Sequence, residues 1–223
     1  MSEQNYSLQQ SGGWIDKLAL KKRLTMLQTF MKEFPSATLE HILDAGVTAD
    51  KSALSSNYLE KFFPEKNKIT ALSNQEASFL EQEYPGVRFR HGDVRHLPFQ
   101  DKEMDVVFSS AVIEHIGNDE NQQRMIAECV RVAKKGVFIT TPNRWHPIEV
   151  HTLLPFIHWL PKKLHRKLLK FFGYLFYSQE ENLNLVDKKK LKTFCQKLGI
   201  QNFTIHYIKT WGIMSNLMLV IKL

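Results

Sequence analysis

Between residues 39 and 141 the chain alternates short apolar, β-type runs with stretches of helical pattern. Strands are predicted at 39–45, 68–73, 87–91, 105–110 and 136–141. Helices are predicted between them at 55–63, 75–84 and 122–132, the second with Asn74 as its N-cap. Strand–helix–strand units of this kind join through right-handed crossovers into a parallel sheet. After a long irregular stretch, a helix at 187–198 precedes two further strands, 203–209 and 217–223. The link between those strands, Trp211-Gly-Ile-Met-Ser, is too short for a helical crossover, so they pair antiparallel.

At 223 residues, 43% hydrophobic and 24% charged, the chain suits one α/β domain. Residues 1–34 read as a polar tail followed by a helix. Residues 35–223 read as the domain, with 143–182 inserted as a lid on the substrate side. The helix from Trp14 to Phe34 carries an apolar stripe through Leu20, Leu24, Leu27, Phe30, Met31 and Phe34, with Lys17, Lys21, Lys22 and Arg23 mostly on the other face. It packs on the sheet or covers a ligand pocket, with packing the stronger reading. Cys129 and Cys195 are far apart, so neither a metal set nor a disulfide framework is indicated, and a reducing cytoplasm fits. The N-terminus lacks the basic-then-apolar order of a secretory signal. No apolar run approaches the roughly 20 residues that cross a bilayer.

The first strand runs Ile42-Leu-Asp-Ala-Gly46, ending in a turn that holds a carboxylate and a glycine. In open α/β sheets ligands bind beyond the carboxyl ends of the strands, near the point where strand order reverses. Further along come Gly92-Asp-Val-Arg-His-Leu-Pro-Phe99, Asp105-Val-Val-Phe-Ser-Ser-Ala-Val-Ile-Glu-His115, and a strand closing in Thr-Thr-Pro-Asn143. Together and in this order they resemble the class I S-adenosylmethionine-dependent methyltransferases, above all the small-molecule type that includes the quinone-biosynthesis enzymes.

The resemblance implies a Rossmann-like, seven-stranded, mostly parallel sheet with a terminal antiparallel pair and helices on both faces. It implies S-adenosylmethionine as cofactor. Asp44 and Gly46 then line its methionine end, with Thr48 nearby, and Ser110 and Ala111 face the same portion. Asp93 accepts from the adenine amino group, Val94 walls the ring, and Ser73 falls where the ribose is held. His115 stands near the transferable methyl.

Two departures qualify this picture. The family usually continues Gly-x-Gly-x-Gly after the acid, whereas this chain has Gly46-Val-Thr-Ala-Asp50. An acid that grips both ribose hydroxyls is usual at the end of the second strand, where Ser73 and Asn74 stand; Glu76 or Asp50 are the candidate substitutes. These departures support a competing reading, a methyltransferase fold kept as a non-catalytic binding or scaffold module. A dehydrogenase is a poorer fit, since no G-x-G-x-x-G follows the first strand.

The segment after the fifth strand is rich in Pro, His and aromatic residues and should set substrate choice. Its His146, Glu149 and His151 could form a base, a metal site or a hydrogen-bonded loop. His146 and His151 join His115 as catalytic candidates, with a pocket-shaping role open for each. Residues 161–177 read as a basic amphipathic helix carrying Lys162, Lys163, Arg166, Lys167 and Lys170. That suits either peripheral contact with a membrane surface or a lid with a solvated face. A small-molecule or lipid-linked acceptor, methylated at oxygen or carbon, reconciles both. Nucleic acid is not indicated, because the basic residues lack an interleaved recognition motif.

Overall fold

A computed structural model describes residues 13–223. The expected tail at 1–12 lies outside the described residues. Seven strands form one sheet: β1 (Ile42–Ala45), β2 (Ile69–Ser73), β3 (Arg88–His91), β4 (Met104–Ser110), β5 (Ala133–Pro142), β6 (Phe203–Thr210) and β7 (Ile213–Lys222). Their order is β3-β2-β1-β4-β5-β7-β6. The first five strands pair parallel, and β7 runs antiparallel between β5 and β6. Strand order reverses between β1 and β4, which places the ligand crevice beyond Ala45 and Ser110.

Alternation along the central strands divides the core in two. Val106, Phe108 and Phe138 face helix α1 (Trp14–Glu33), through Met26, Leu27, Phe30 and Phe34, with α2 (Tyr58–Phe62) and α3 (Phe79–Glu83) on the same face. Val107, Val137 and Ile139 face α4 (Asp119–Val132) and α6 (Lys188–Lys197). A strand buried on both faces reads as a continuous apolar run, as Val106-Val-Phe does. The Phe30 ring meets Phe108 edge-on, with ring centres 5.1 Å apart. The Rossmann-like sheet with helices on both faces is therefore present as expected.

Three local expectations change. The helix after β2 starts at Phe79, not near residue 75, and its N-cap is Ser78 rather than Asn74. The polar residues before it tie down the loop instead. The Gln75 amide donates to Ser73 Oγ, and Gln75 Oε1 accepts from the Ala49 amide. The basic helix α5 covers only Lys162–Phe171, because Gly173 at φ +84° turns the chain out of the helix. Arg23 does not lie on a solvated face; it is half-buried, donating from Nη1 to the Ser55 carbonyl at 2.6 Å.

The lid segment docks on the loop after β4. Asn143 bridges to Val186, the Asn184 amide donates to the Glu114 carbonyl at 2.7 Å, and Gln122 Nε2 donates to both Ile113 and Asn184 carbonyls. It has its own small core of Leu169, Tyr177, Leu183 and Leu185.

Candidate functional site

A cavity of about 680 Å³ opens at the carboxyl edge of the sheet, over the β1–β4 reversal. Its size suits a small-molecule site. Asp44, Gly46, Thr48, Ser73, Asp93, Val94, Ser110, Ala111, His115, His146 and His151 all line it. Every predicted site residue thus shares one wall system. The helix α1 does both jobs left open by its pattern: its C-terminal half packs on the sheet, while Trp14, Ile15, Leu18, Lys22 and Arg23 roof the cavity.

Asp44 is buried at the end of β1, beside the fully buried Glu60 of α2. Burial, and then the Glu60 carboxyl, pushes Asp44 well above the usual carboxylate range. Burial likewise raises Glu60 to about 7. Two carboxyls this close cannot both ionise cheaply, so the pair holds a proton. Sequence reasoning missed Glu60, because nothing local marks a helix residue that will face Asp44.

Gly46 is required by its own backbone and by a neighbour. Its φ is +107°, and a Cβ there would lie 2.3 Å from Val112 Cγ2. The space left by the missing side chain is filled by Val112 rather than reserved for a ligand. The loop that lacks further glycines is held by its own amides. Those of Gly46 and Val47 donate to the Leu72 carbonyl, Thr48 to Asn57 Oδ1, Ala49 to Gln75 and Asp50 to Thr48 Oγ1. A ligand there meets side chains rather than a cradle of backbone N–H groups. Asp50 lines the cavity with Ser73, Asn74 and Gln75, whereas Glu76 does not and instead accepts from the Ser78 amide.

Asp93 is engaged by Arg95, whose Nε reaches both carboxylate oxygens at 3.0 Å. This hydrogen-bonded partner holds the Asp93 carboxyl below its usual range, so it is ionised and a ready acceptor. Ser110 closes the fourth strand in a hydroxyl chain: Tyr58 Oη donates to Ser110 Oγ at 3.1 Å, and Ser110 Oγ lies 2.9 Å from Thr140 Oγ1. The next residue, Ala111, has φ +57° and donates its amide to the Thr140 carbonyl. A side-chain-bearing residue in this region carries local strain of the sort found at ligand sites.

The three histidines separate. His115 donates from Nδ1 to the Asn182 carbonyl at 2.7 Å and meets the His151 ring edge-on at 4.6 Å. Burial, and then His151, lowers His115 to about 3, leaving it neutral. His151 donates from Nδ1 to Glu149 Oε1 at 2.5 Å. Burial works against charge on His151, but Glu149 outweighs it and the net shift is upward. Burial alone would raise Glu149, yet His151 and its hydrogen bonds hold it at about 2. His146 stands apart, donating from Nδ1 to the Ile148 carbonyl at 2.9 Å and stacking near Trp211. The grouping His146–Glu149–His151 suggested by spacing is thus replaced by Glu149, His151, His115 and Glu114. The adjacent Glu114-His115 pair was a signal for this, but only the folded lid brings His151 to it.

Residues 52–140 match the family described as a methyltransferase domain. A curated relative from Mycolicibacterium smegmatis, described as a "Probable S-adenosylmethionine-dependent methyltransferase", is 38% identical over 81 residues, covering 34% of this chain. The match spans 30% of the relative's own length. A Thermotoga maritima S-adenosylmethionine-dependent methyltransferase, described as a "possible histamine N-methyltransferase", superposes with a TM-score of 0.55 at 16% identity, covering 92% of this chain and 91% of that one. The magnesium protoporphyrin IX methyltransferase of Synechocystis, solved with S-adenosylhomocysteine bound, superposes with a TM-score of 0.56 at 13% identity over 95% of this chain and 89% of its own. At these identities the structural likenesses establish the fold.

The cavity's residues fit the cofactor of that family. Asp44 and Asp93 bring carboxyl acceptors to the lining, and Val94, Val112 and Ile116 bring apolar walls. No acid stands at the end of β2, where Ser73 and Asn74 line the cavity, and Asp50 is among the lining acids. The family match over residues 52–140, the sheet topology and the cavity agree on a methyltransferase domain of Rossmann-like fold, with a cavity that suits S-adenosylmethionine.

Proposed function

We propose that the protein transfers the methyl group of S-adenosylmethionine to a hydroxyl of an apolar small-molecule or lipid-linked acceptor, with an acceptor carbon as the second choice. One observation carries this reading. A single cavity is lined both by Asp44, Asp93 and Ser110 and by the lid residues Ile148, Val150, His151 and Leu153. Cofactor and acceptor would therefore meet in one shared space.

The cofactor supplies an electrophilic methyl on a sulfonium, which an acceptor oxygen displaces directly. The chain's own part is mainly alignment, since holding the reacting atoms in line accounts for much of such a rate. Asp44 and the Tyr58–Ser110–Thr140 hydroxyl chain fix the methionine end, and Asp50 takes the ribose contact that Ser73 cannot supply as an acid. His115 and His151 line the same cavity, and the neutral His115 ring can accept a hydrogen bond from the reacting hydroxyl. The open cofactor pocket lends no support to the non-catalytic alternative.

Access from a membrane surface, with an otherwise cytoplasmic location, belongs to the same proposal. Lys163, Leu164, Lys167, Lys170, Phe171, Phe172 and Leu175 are all exposed around α5, with Phe171 82% accessible. Of the five basic residues in this stretch, Lys162 and Arg166 pair with Asp119 or Glu180. The exposed lysines interleave with exposed apolar side chains, as in a helix lying on anionic lipid. No described helix is long and apolar enough to cross a membrane.

The test is a methyl-transfer assay with isotopically labelled S-adenosylmethionine and a panel of isoprenoid phenols, quinols and glycolipids, with and without anionic vesicles. Label recovered as a methyl ether supports the reading. Label recovered only on nitrogen would overturn the acceptor assignment.

A further inference from the structure

Glu114, His115 and His151 each present one ligand atom, these atoms all lie within 4.8 Å of one another, and the two histidines line the cavity. Each side chain is also anchored at its other end. Glu114 Oε2 accepts from Thr141 Oγ1 at 2.9 Å. His115 is held through Nδ1 by the Asn182 carbonyl, and His151 through Nδ1 by Glu149. Glu149 in turn accepts from the His151 amide, the Thr152 amide and Thr152 Oγ1. It therefore acts as an orienting group and not a ligand. Metal-binding histidines regularly donate their second ring nitrogen to a carboxylate or a backbone carbonyl, which fixes the tautomer with the lone pair on the ligating nitrogen. Both histidines here have that arrangement.

A second observation points to a ligand. Glu114 is fully buried, and its Oε1 has no hydrogen-bond partner. A buried carboxylate oxygen left unsatisfied is costly and calls for an explanation such as an ion. The charges facing this spot are Glu114, Glu149, a protonatable His151, and Arg23 from α1, which is close enough to act on both Glu114 and His151.

We propose that Glu114, His115 and His151 form a divalent transition-metal site of the two-histidine, one-carboxylate type, with the remaining coordination position open to the cavity. This is the donor set of catalytic zinc. Ligands around a tetrahedral zinc lie about 3.3 Å apart, so the site closes by up to roughly 1.5 Å when it binds. His115 and His151 both line the cavity, so the open position faces the acceptor. An acceptor hydroxyl bound there loses its proton more readily, because the ion stabilises the alkoxide or phenolate. That use rests on the methyltransferase reading, whereas binding of the metal does not.

The experiment uses the full chain, stripped with chelator, and cobalt(II) as the probe. The wild type should bind about one equivalent, with visible d–d bands of a tetrahedral or five-coordinate site, and zinc should displace it. Glu114→Gln, nearly isosteric, and His151→Ala should each weaken cobalt binding at least tenfold, while His96→Ala leaves it unchanged. Circular dichroism and titration with S-adenosylhomocysteine on the same samples report folding and the cofactor pocket independently. A folded wild type that binds S-adenosylhomocysteine but no cobalt would overturn the metal site and leave the methyltransferase reading intact. Cobalt binding that persists unweakened in both Glu114→Gln and His151→Ala would overturn it as well.

Discussion

Replacing Glu60 by glutamine should stabilise the protein above neutral pH and flatten its pH dependence below. Glu60 has no exposed surface and sits against Asp44. Burial raises its carboxyl from 4.5 to about 7. Between those values the folded protein keeps a proton that the unfolded chain has already released, so stability falls as pH rises. Glu60's favourable contribution is whole below about 4.5 and gone above about 7. The gap, at about 1.4 kcal/mol for each pH unit, makes the loss about 3 kcal/mol. Glutamine has no proton to lose. It also removes the carboxylate whose charge raises Asp44, so the second acid becomes easier to ionise. Urea denaturation of both proteins at about pH 5 and about pH 8 gives the four stabilities needed. The wild type should lose about 3 kcal/mol more than Glu60→Gln across that interval. Equal losses in the two proteins would refute the claim that the Asp44–Glu60 pair holds a buried proton.

Asp93→Ala should leave stability within about 1 kcal/mol of wild type, since the Asp93–Arg95 pair is partly exposed. The same change should weaken S-adenosylmethionine binding roughly ten- to hundredfold, the worth of a hydrogen bond to a charged group; unchanged affinity in calorimetry would remove Asp93 from the pocket. Gly46→Ala should cost about 2 kcal/mol or more, because it combines φ +107° with a 2.3 Å approach to Val112. Adding Val112→Ala should recover the steric part in denaturant melts, and a Gly46→Ala protein as stable as wild type would contradict the packing described. The double change Phe171→Ser, Phe172→Ser should abolish co-sedimentation with anionic vesicles at low salt without lowering the melting temperature. Undiminished binding would mean that α5 is a lid only.

The sheet was legible because its central strands are buried on both faces, and runs such as Val106-Val-Phe announce that locally. Asp44 was legible because strand ends at a topological reversal are where ligands bind, and Asp93 and Ser110 through the family resemblance; all three line the cavity. Gly46 was legible as a lining residue but its packing was not: a positive φ can be guessed from a glycine, but its neighbour Val112 lies 66 positions away. The roofing role of Arg23 was not legible, because helical periodicity separates faces without saying which polar residue will roof a cavity. The short α3 and α5 reflect tertiary choices that propensity does not record. Asn74 lost its capping role when Gln75 and Ser73 were drawn into holding the 46–50 loop. The Glu114–His115–His151 cluster depends on the lid folding back across the sheet, and no spacing of residues along the chain encodes that return.

The most direct test of the central claim is calorimetric titration of the purified protein with S-adenosylmethionine and S-adenosylhomocysteine. The account predicts one site per chain with micromolar affinity for both, despite the loop held by side chains in place of glycines. No heat of binding at millimolar concentrations of either compound would contradict the account.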